Sequence, residues 1–203
     1  MELLFPFSFG LIACFIGALP FGAINLTVVS LTVNRSYEQG MRFALGASLI
    51  EIGEAYIALI FGKLISGFIN RHSELPYFIA FVFIGLGIYF FARKTSPKLE
   101  KNNKKGLGAF MQGVFVAILN PQAIPFWLFA FAFVTPNHTM SMGHGLVLFL
   151  AGVFTGKMLA LLSFARMSNY LSKHLSQSCH TIDYIMGSVF SIIGIIQILK
   201  TFI

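Results

Sequence analysis

The stretch "GALPFGAINL" (residues 17–26) places Pro20, Gly22 and Asn25 in the middle of the most hydrophobic part of the chain. It lies within 31 consecutive uncharged residues, Leu3 to Val33, whereas about 20 apolar residues suffice for a membrane helix. Proline removes a backbone donor and clashes with the preceding turn, and glycine lets the chain leave helical geometry. The pattern therefore predicts a helix that is interrupted at its centre.

The composition indicates an all-α integral membrane protein. Of 203 residues, 57% are apolar and only 10% are charged, whereas a soluble domain carries about 25% charged residues. No hydrophilic stretch is long enough to form a separate soluble domain. The start, "MELLFPF", lacks the basic region of a secretory signal, so we expect a retained helix there.

The net charge of +7 does not indicate a nucleic-acid partner. Six of the 14 basic residues lie in "RKTSPKLEKNNKK" (93–105), where no aromatic side chain could stack on a base. A cytoplasmic loop near anionic lipid fits this pattern better. Cys14 and Cys179 are the only cysteines, and they form no CxxC motif. This excludes a disulfide framework and argues against a thiol relay.

Six apolar segments are predicted to be membrane helices, because lipid offers no partner to unpaired backbone groups. They run approximately over residues 3–33, 43–64, 75–92, 107–134, 145–165 and 184–199. The first, third and fifth connections hold ten basic residues, and the second and fourth hold two. The positive-inside rule then predicts that both termini lie outside the cytoplasm.

Two alignments of the chain with itself indicate a duplication. At an offset of 100, "CFIGALPFGAINL" (14–26) meets "VFVAILNPQAIPF" (114–126). At an offset of 107, "YFIAFVFIGLGIYFFAR" (77–93) meets "YIMGSVFSIIGIIQILK" (184–200). Three helices are an odd number, so the second copy would enter the bilayer from the opposite side. The prediction is a 3+3 inverted repeat in which helices one and four are Pro/Gly-interrupted.

We expect one transmembrane transporter domain, residues 1–203. Repeat one covers about 1–92, a basic cytoplasmic loop covers 93–106, and repeat two covers about 107–203. In inverted-repeat transporters, interrupted helices at matching positions mark the substrate site. The predicted substrate-binding residues are Pro20, Gly22, Asn25, Asn120, Pro121 and Gln122. An alternative is that the prolines are simple packing kinks and that the amides satisfy freed backbone groups.

Three charged residues lie near the centres of apolar segments. Glu51 and Glu54 are three residues apart in segment two and share one helical face, and Lys157 lies in segment five. Each buried charge costs about 2.5–3.5 kcal/mol by insertion measurements. A structural Glu51–Lys157 bridge is one hypothesis. The other is that a carboxylate loads and releases a proton, or contacts a substrate amine.

Other residue types carry weaker signals. None of the five His has metal-ligand spacing with another, so no metal site is expected, and no cofactor motif is visible. Trp127 and the 24 Phe are interpreted as lipid-facing or packing groups.

The chain resembles the LysE-type translocators, which export lysine, homoserine and related amino acids. The resemblance rests on "LPFGAIN" in helix one, on Gly40, on "ALGASLIE" ending at Glu51, and on "LNPQAIPFW" in helix four. The chain differs from the family pattern at Phe21 and Gly22, at Gln122 in place of a basic residue, and at Lys157. The resemblance implies export of a small metabolite, driven by a proton or ion gradient, with an acidic residue at Glu51. The coupling hypothesis for Glu51 is therefore favoured.

The sequence thus predicts a secondary active exporter of amino acids or related metabolites in the bacterial inner membrane. Its partners would be a small-molecule substrate and the lipid bilayer, with a homo-oligomer left open. An inorganic-ion transporter of similar architecture is an alternative, but it would need more carboxylates or carbonyls around its site. A membrane-embedded enzyme is another, but no base–nucleophile or metal arrangement is visible, so we expect no enzyme. The buried polar groups argue against a scaffold without transport activity.

Overall fold

The computed structural model describes residues 4–20, 22–69, 75–92, 108–120, 122–133 and 143–173, together with part of 184–199. These residues are almost entirely helical and include no β-strand. Helices suit an apolar chain in lipid, because each helix satisfies its backbone groups internally.

Seven helices have defined bounds within these residues. They are α1 (Leu4–Ala18), α2 (Ala23–Asn34), α3 (Tyr37–Ile69), α4 (Leu75–Ala92), α5 (Ala109–Ile118), α6 (Ala123–Phe133) and α7 (Gly143–Arg166). The first and fourth predicted segments are each divided into two helices, so the predicted interruptions are present. The six predicted segments otherwise coincide closely with helical regions, and the described residues of 184–199 are also helical.

Three stretches qualify as membrane spans by length and composition within the described residues. Residues 37–62 of α3 and the whole of α7 qualify as single helices. The pair α1 and α2 qualifies together, and its two axes are bent by 76° at the break. The protein is thus a helical membrane protein, and the total of six spans stays a prediction.

The chain forms two compact units, and each takes helices from both predicted repeats. The first comprises Met1–Gly62 and Lys98–His174, and the second comprises Lys63–Pro97 and Leu175–Ile203. The first unit therefore holds the first two segments of each predicted repeat, and the second unit holds the third segment of each.

In the first unit, α1 packs on α7 through glycines that allow the two backbones to touch. A Cβ atom added at Gly10 would collide with the carbonyl oxygen of Phe149. One added at Gly152 would collide with that of Phe7. Membrane helices use small residues in this way because close approach increases van der Waals contact where lipid provides no hydrophobic driving force.

Helices α3 and α5 meet through the same arrangement. A Cβ atom at Gly113 would collide with the carbonyl oxygen of Phe43, and one at Gly46 with that of Phe110. Phe149 and Gly152, the contact residues of α7, lie 106 positions after Phe43 and Gly46, the contact residues of α3. In the same way, the contact residues of α5 (110 and 113) lie 103 positions after those of α1 (7 and 10). The two interfaces therefore correspond position by position.

The second unit contains a similar correspondence. Phe83 of α4 stacks on Phe190, with their ring centroids 5.9 Å apart. Gly87 and Gly194 each lie so close to the facing helix that an added Cβ would reach its backbone. Both pairs are separated by 107 positions (83 to 190 and 87 to 194). The contacts in this unit thus also join positions with a constant separation.

Candidate functional site

The side chain of Asn25 forms hydrogen bonds across the break in the first segment. Helix α1 ends at Ala18 and α2 begins at Ala23. The amide nitrogen of Asn25, a residue only 3% exposed, donates to the carbonyl oxygens of Ala18 at 2.7 Å and Pro20 at 2.6 Å. These bonds satisfy carbonyls that the break removes from the helix. They use both amide hydrogens and leave Oδ1 as the part of this side chain that could accept a bond from a ligand.

The chain leaves helical geometry at Gly22, as the sequence predicted. Its φ of −113° and ψ of −176° are extended values that any residue can adopt, so this conformation does not by itself require glycine. The absence of a side chain matters for space instead. A Cβ atom here would have one neighbour, Oε1 of Gln122 at 3.5 Å, and longer side chains would enter the cavity described below.

The break in the fourth segment lies at the equivalent position. Helix α5 ends at Ile118 and α6 begins at Ala123, each 100 residues after its counterpart at the first break. Oδ1 of Asn120 accepts a hydrogen bond of 3.3 Å from the backbone N–H of Gln122. This bond supports the turn that leads into α6. Pro121 lies outside the described residues.

The two breaks meet at one small, partly open cavity. The cavity is lined by Gly17, Ala18, Pro20, Gly22, Ala23, Ile24, Asn25, Asn120, Gln122 and Lys157. Every described member of the predicted substrate-binding set is therefore here. Glu51 and Glu54 are not among the lining residues.

The lining includes the first turn of α2. Leu26 is the first residue of this helix whose N–H reaches back, to the carbonyl oxygen of Gly22. The N–H groups of Ala23, Ile24 and Asn25 therefore have no partner within the helix. The end of a helix that exposes such N–H groups carries a partial positive charge and favours anionic groups. Lys157 is the one charged side chain among the lining residues.

Lys157 is bound to Glu51 inside the first unit. Nζ of Lys157 lies 2.8 Å from Oε2 of Glu51, and the side chains are only 7% and 4% exposed. Nε1 of Trp127 donates to the other carboxylate oxygen, Oε1, at 2.8 Å. Glu51 therefore has the ammonium of Lys157 beside one oxygen and the indole N–H of Trp127 on the other. The ion pair joins α3 to α7. Glu51 and Lys157 are 106 positions apart, the same separation as between the contact residues of α3 and α7 described above (43 and 149, 46 and 152).

The sequence did not predict the hydrogen bond from Trp127 to Glu51. Trp127 is completely buried and packs against Phe131 and Phe149, so it is a packing group and does not face lipid. A buried tryptophan usually finds an acceptor for its N–H, and a buried carboxylate needs donors. That rule could have suggested a bond to a buried glutamate, but only the fold identifies Glu51 as the acceptor.

The described residues contain no group of His, Cys, Asp and Glu that could hold a metal ion. The arrangement that they do contain is a small cavity at two helix breaks, with a buried ion pair at its edge. A membrane protein of this kind belongs to the class of translocators.

The comparison with known families agrees with this class. The model of the "LysE type translocator" family matches residues 15–201, so the chain belongs to the LysE type translocator family. No curated protein and no solved structure matched the chain. Members of this family are translocators and not enzymes, and the chain is accordingly a membrane exporter of small molecules.

Proposed function

We propose that the protein is a secondary active exporter of amino acids or related small metabolites in the bacterial inner membrane. The observation that carries the proposal is the cavity at the two helix breaks. Its lining contains polar groups from both breaks and the ammonium of Lys157. Irregular backbone is tolerated at membrane depth where it lines a cavity, and such breaks bind substrate in secondary transporters.

The lining suits both charged groups of an amino acid. The free N–H groups at the start of α2 can hold a carboxylate, as half-helix N-termini do in transporters. Oδ1 of Asn25 can accept a hydrogen bond from an ammonium group. Gln122, where the family pattern has a basic residue, offers a neutral amide to a variable part of the substrate. These features support a zwitterionic substrate.

The proposal includes six membrane spans arranged as a 3+3 inverted repeat. Support comes from the equivalent breaks and from the interfaces that correspond at separations of 103, 106 and 107 positions. A single duplication of three helices would account for both the equivalent breaks and the corresponding interfaces. It also explains why each compact unit contains helices from both halves.

Counterflow tests the function directly. Purified protein in liposomes preloaded with an unlabelled amino acid should take up the same labelled amino acid, for at least one member of a panel. Gly22→Phe should abolish this uptake, because the ring would occupy the cavity. Gly53→Phe is the matched control, since the position on α3 is exposed and has no atom within 4 Å of an added Cβ. Wild-type protein without counterflow of any panel member would refute the proposal.

The proposed orientation places the basic loop in the cytoplasm and both termini outside. It is motivated by the distribution of basic residues between the connections. Single cysteines at Asn102 and Thr139, introduced after Cys14 and Cys179 are replaced by Ser, report the two sides. Both labelling positions lie outside the described residues. An impermeant thiol reagent on intact cells should modify position 139 and spare position 102; the opposite pattern contradicts the orientation.

A further inference from the structure

Glu54 is the buried carboxyl group that forms no ion pair among the described residues. The residue is 8% exposed, and its Oε2 has no hydrogen-bond partner among the described residues. Oε2 of Glu51, one turn earlier on α3, likewise accepts no hydrogen bond, but it lies 2.8 Å from Nζ of Lys157, and Oε1 accepts from Trp127. An unpaired charge is far more costly in a buried position than a paired one. The negative charge of Glu54 is therefore the one that the described contacts do not compensate.

The charges around Glu54 also indicate that its ionised form is not compensated. The charged groups that act on it are Glu51, on its own helix, and Lys157 on α7. The neutral thiol of Cys14 on α1 is its other titratable neighbour. Glu51 and Lys157 cancel each other as an ion pair. An ionised Glu54 would thus leave one uncompensated negative charge in the buried part of the unit, and a single bound positive charge would remove it.

A proton is the positive charge that fits this environment. Metal cations require several oxygen ligands, whereas the described residues offer no cluster that could bind one. Glu51 cannot supply further oxygens without losing its bonds to Lys157 or Trp127. A proton needs only the one free oxygen of Glu54. When it leaves as H⁺ to water, the O–H electron pair stays on the carboxylate, so no other reactant is involved.

We propose that Glu54, rather than Glu51, carries the exchangeable proton that couples transport to the proton gradient. The proposal rests on the proposed transport function. Lys157 connects the two sites, because it lines the substrate cavity and is paired with Glu51, one helical turn from Glu54. An ionised Glu54 competes with Glu51 for this ammonium, and a protonated Glu54 does not. The proton therefore alters the charge that a substrate meets in the cavity.

Transport assays separate the proton from the substrate. Wild-type protein in liposomes should accumulate its labelled amino acid about tenfold for a pH difference of one unit, if one proton is exchanged. Glu54→Gln keeps the size and neutral form of the side chain but cannot release a proton. It should retain counterflow and lose this accumulation completely. Glu38→Gln, an exposed glutamate on the same helix paired with Arg42, should retain both activities. Accumulation by Glu54→Gln, or accumulation driven by sodium at equal pH, overturns the proposal.

Infrared spectroscopy tests the proton without any substrate. Difference spectra of the purified protein at low and high pH should contain the C=O band of a protonated carboxylic acid. This band should be absent in Glu54→Gln and present in Glu51→Gln. A band that persists in Glu54→Gln excludes Glu54 as the proton carrier. Because this measurement needs no transport, it tests the role of Glu54 even if counterflow shows that the proposed function is wrong.

Discussion

Replacement of Lys157 by Met is expected to destabilise the protein strongly, by about 3–5 kcal/mol, because it leaves the buried charge of Glu51 with only the Trp127 N–H. The methionine has nearly the volume of the lysine stem, so the loss would come from charge and not from packing. The double variant Glu51→Gln with Lys157→Met should recover most of the stability. It contains no stranded charge, and the glutamine can still accept the bond from Trp127 through Oε1.

The measurement is the yield and the thermal aggregation midpoint of detergent-purified protein. Arg42→Met is the matched control, because Arg42 forms a shorter ion pair of 2.6 Å with Glu38, but the two side chains are 59% and 69% exposed. Breaking an exposed pair should cost about 1 kcal/mol or less. Equal losses of stability in Lys157→Met and Arg42→Met would contradict the prediction.

Asn25→Ala is expected to reduce transport by about 100-fold, the loss that a displacement of about 1 Å in a positioning group can cause. The side chain holds the carbonyls of Ala18 and Pro20 together across the first break, and its removal frees both ends. Each carbonyl that loses its bond costs about 1–3 kcal/mol if it stays dry. Both residues line the cavity, where water can reach them, so folded protein should still be obtained.

Counterflow per milligram of folded protein measures the effect of Asn25→Ala. Asn34→Ala is the matched control, since Asn34 is an exposed amide on the same helix and bonds only to Ser30 among the described residues. Asn120→Ala should also abolish transport, because Oδ1 supports the second break. Normal transport by the inserted Asn25→Ala and Asn120→Ala proteins would place the substrate site elsewhere.

Part of the site was predictable from the sequence because it follows from local chemistry. A proline within an apolar segment cannot continue a helix, so Pro20 alone predicts a break. A charge in an apolar segment needs a partner, so Glu51 and Lys157 could be singled out without a fold. The sequence also favoured Glu51 for coupling. The ion pair with Lys157 and the bond from Trp127 compensate the charge of Glu51, whereas Glu54 forms no ion pair among the described residues, and this difference is the basis for proposing Glu54 instead.

The role of Asn25 shows the limit of this reasoning. The sequence left open whether its amide binds substrate or satisfies freed carbonyls. In the structure both side-chain N–H groups of Asn25 donate to backbone carbonyls, and only Oδ1 is left for a ligand. A sequence cannot reveal this arrangement, because the arrangement depends on the path of the chain through the break. At Gly22 the chain leaves the helix as predicted, but the extended backbone suits any residue, and the structure shows that the glycine also provides space.

The sequence by itself determined that this is a helical membrane protein with two interrupted helices and three buried charges. Composition and proline chemistry act over a few residues and need no knowledge of neighbours in space. Only the tertiary structure decided that the two breaks line one cavity, that Trp127 binds Glu51, and that Oε2 of Glu54 has no hydrogen-bond partner among the described residues. Trp127 and Glu51 are 76 positions apart and the two breaks are 100 positions apart, so these contacts depend on the close helix packing that the glycines allow.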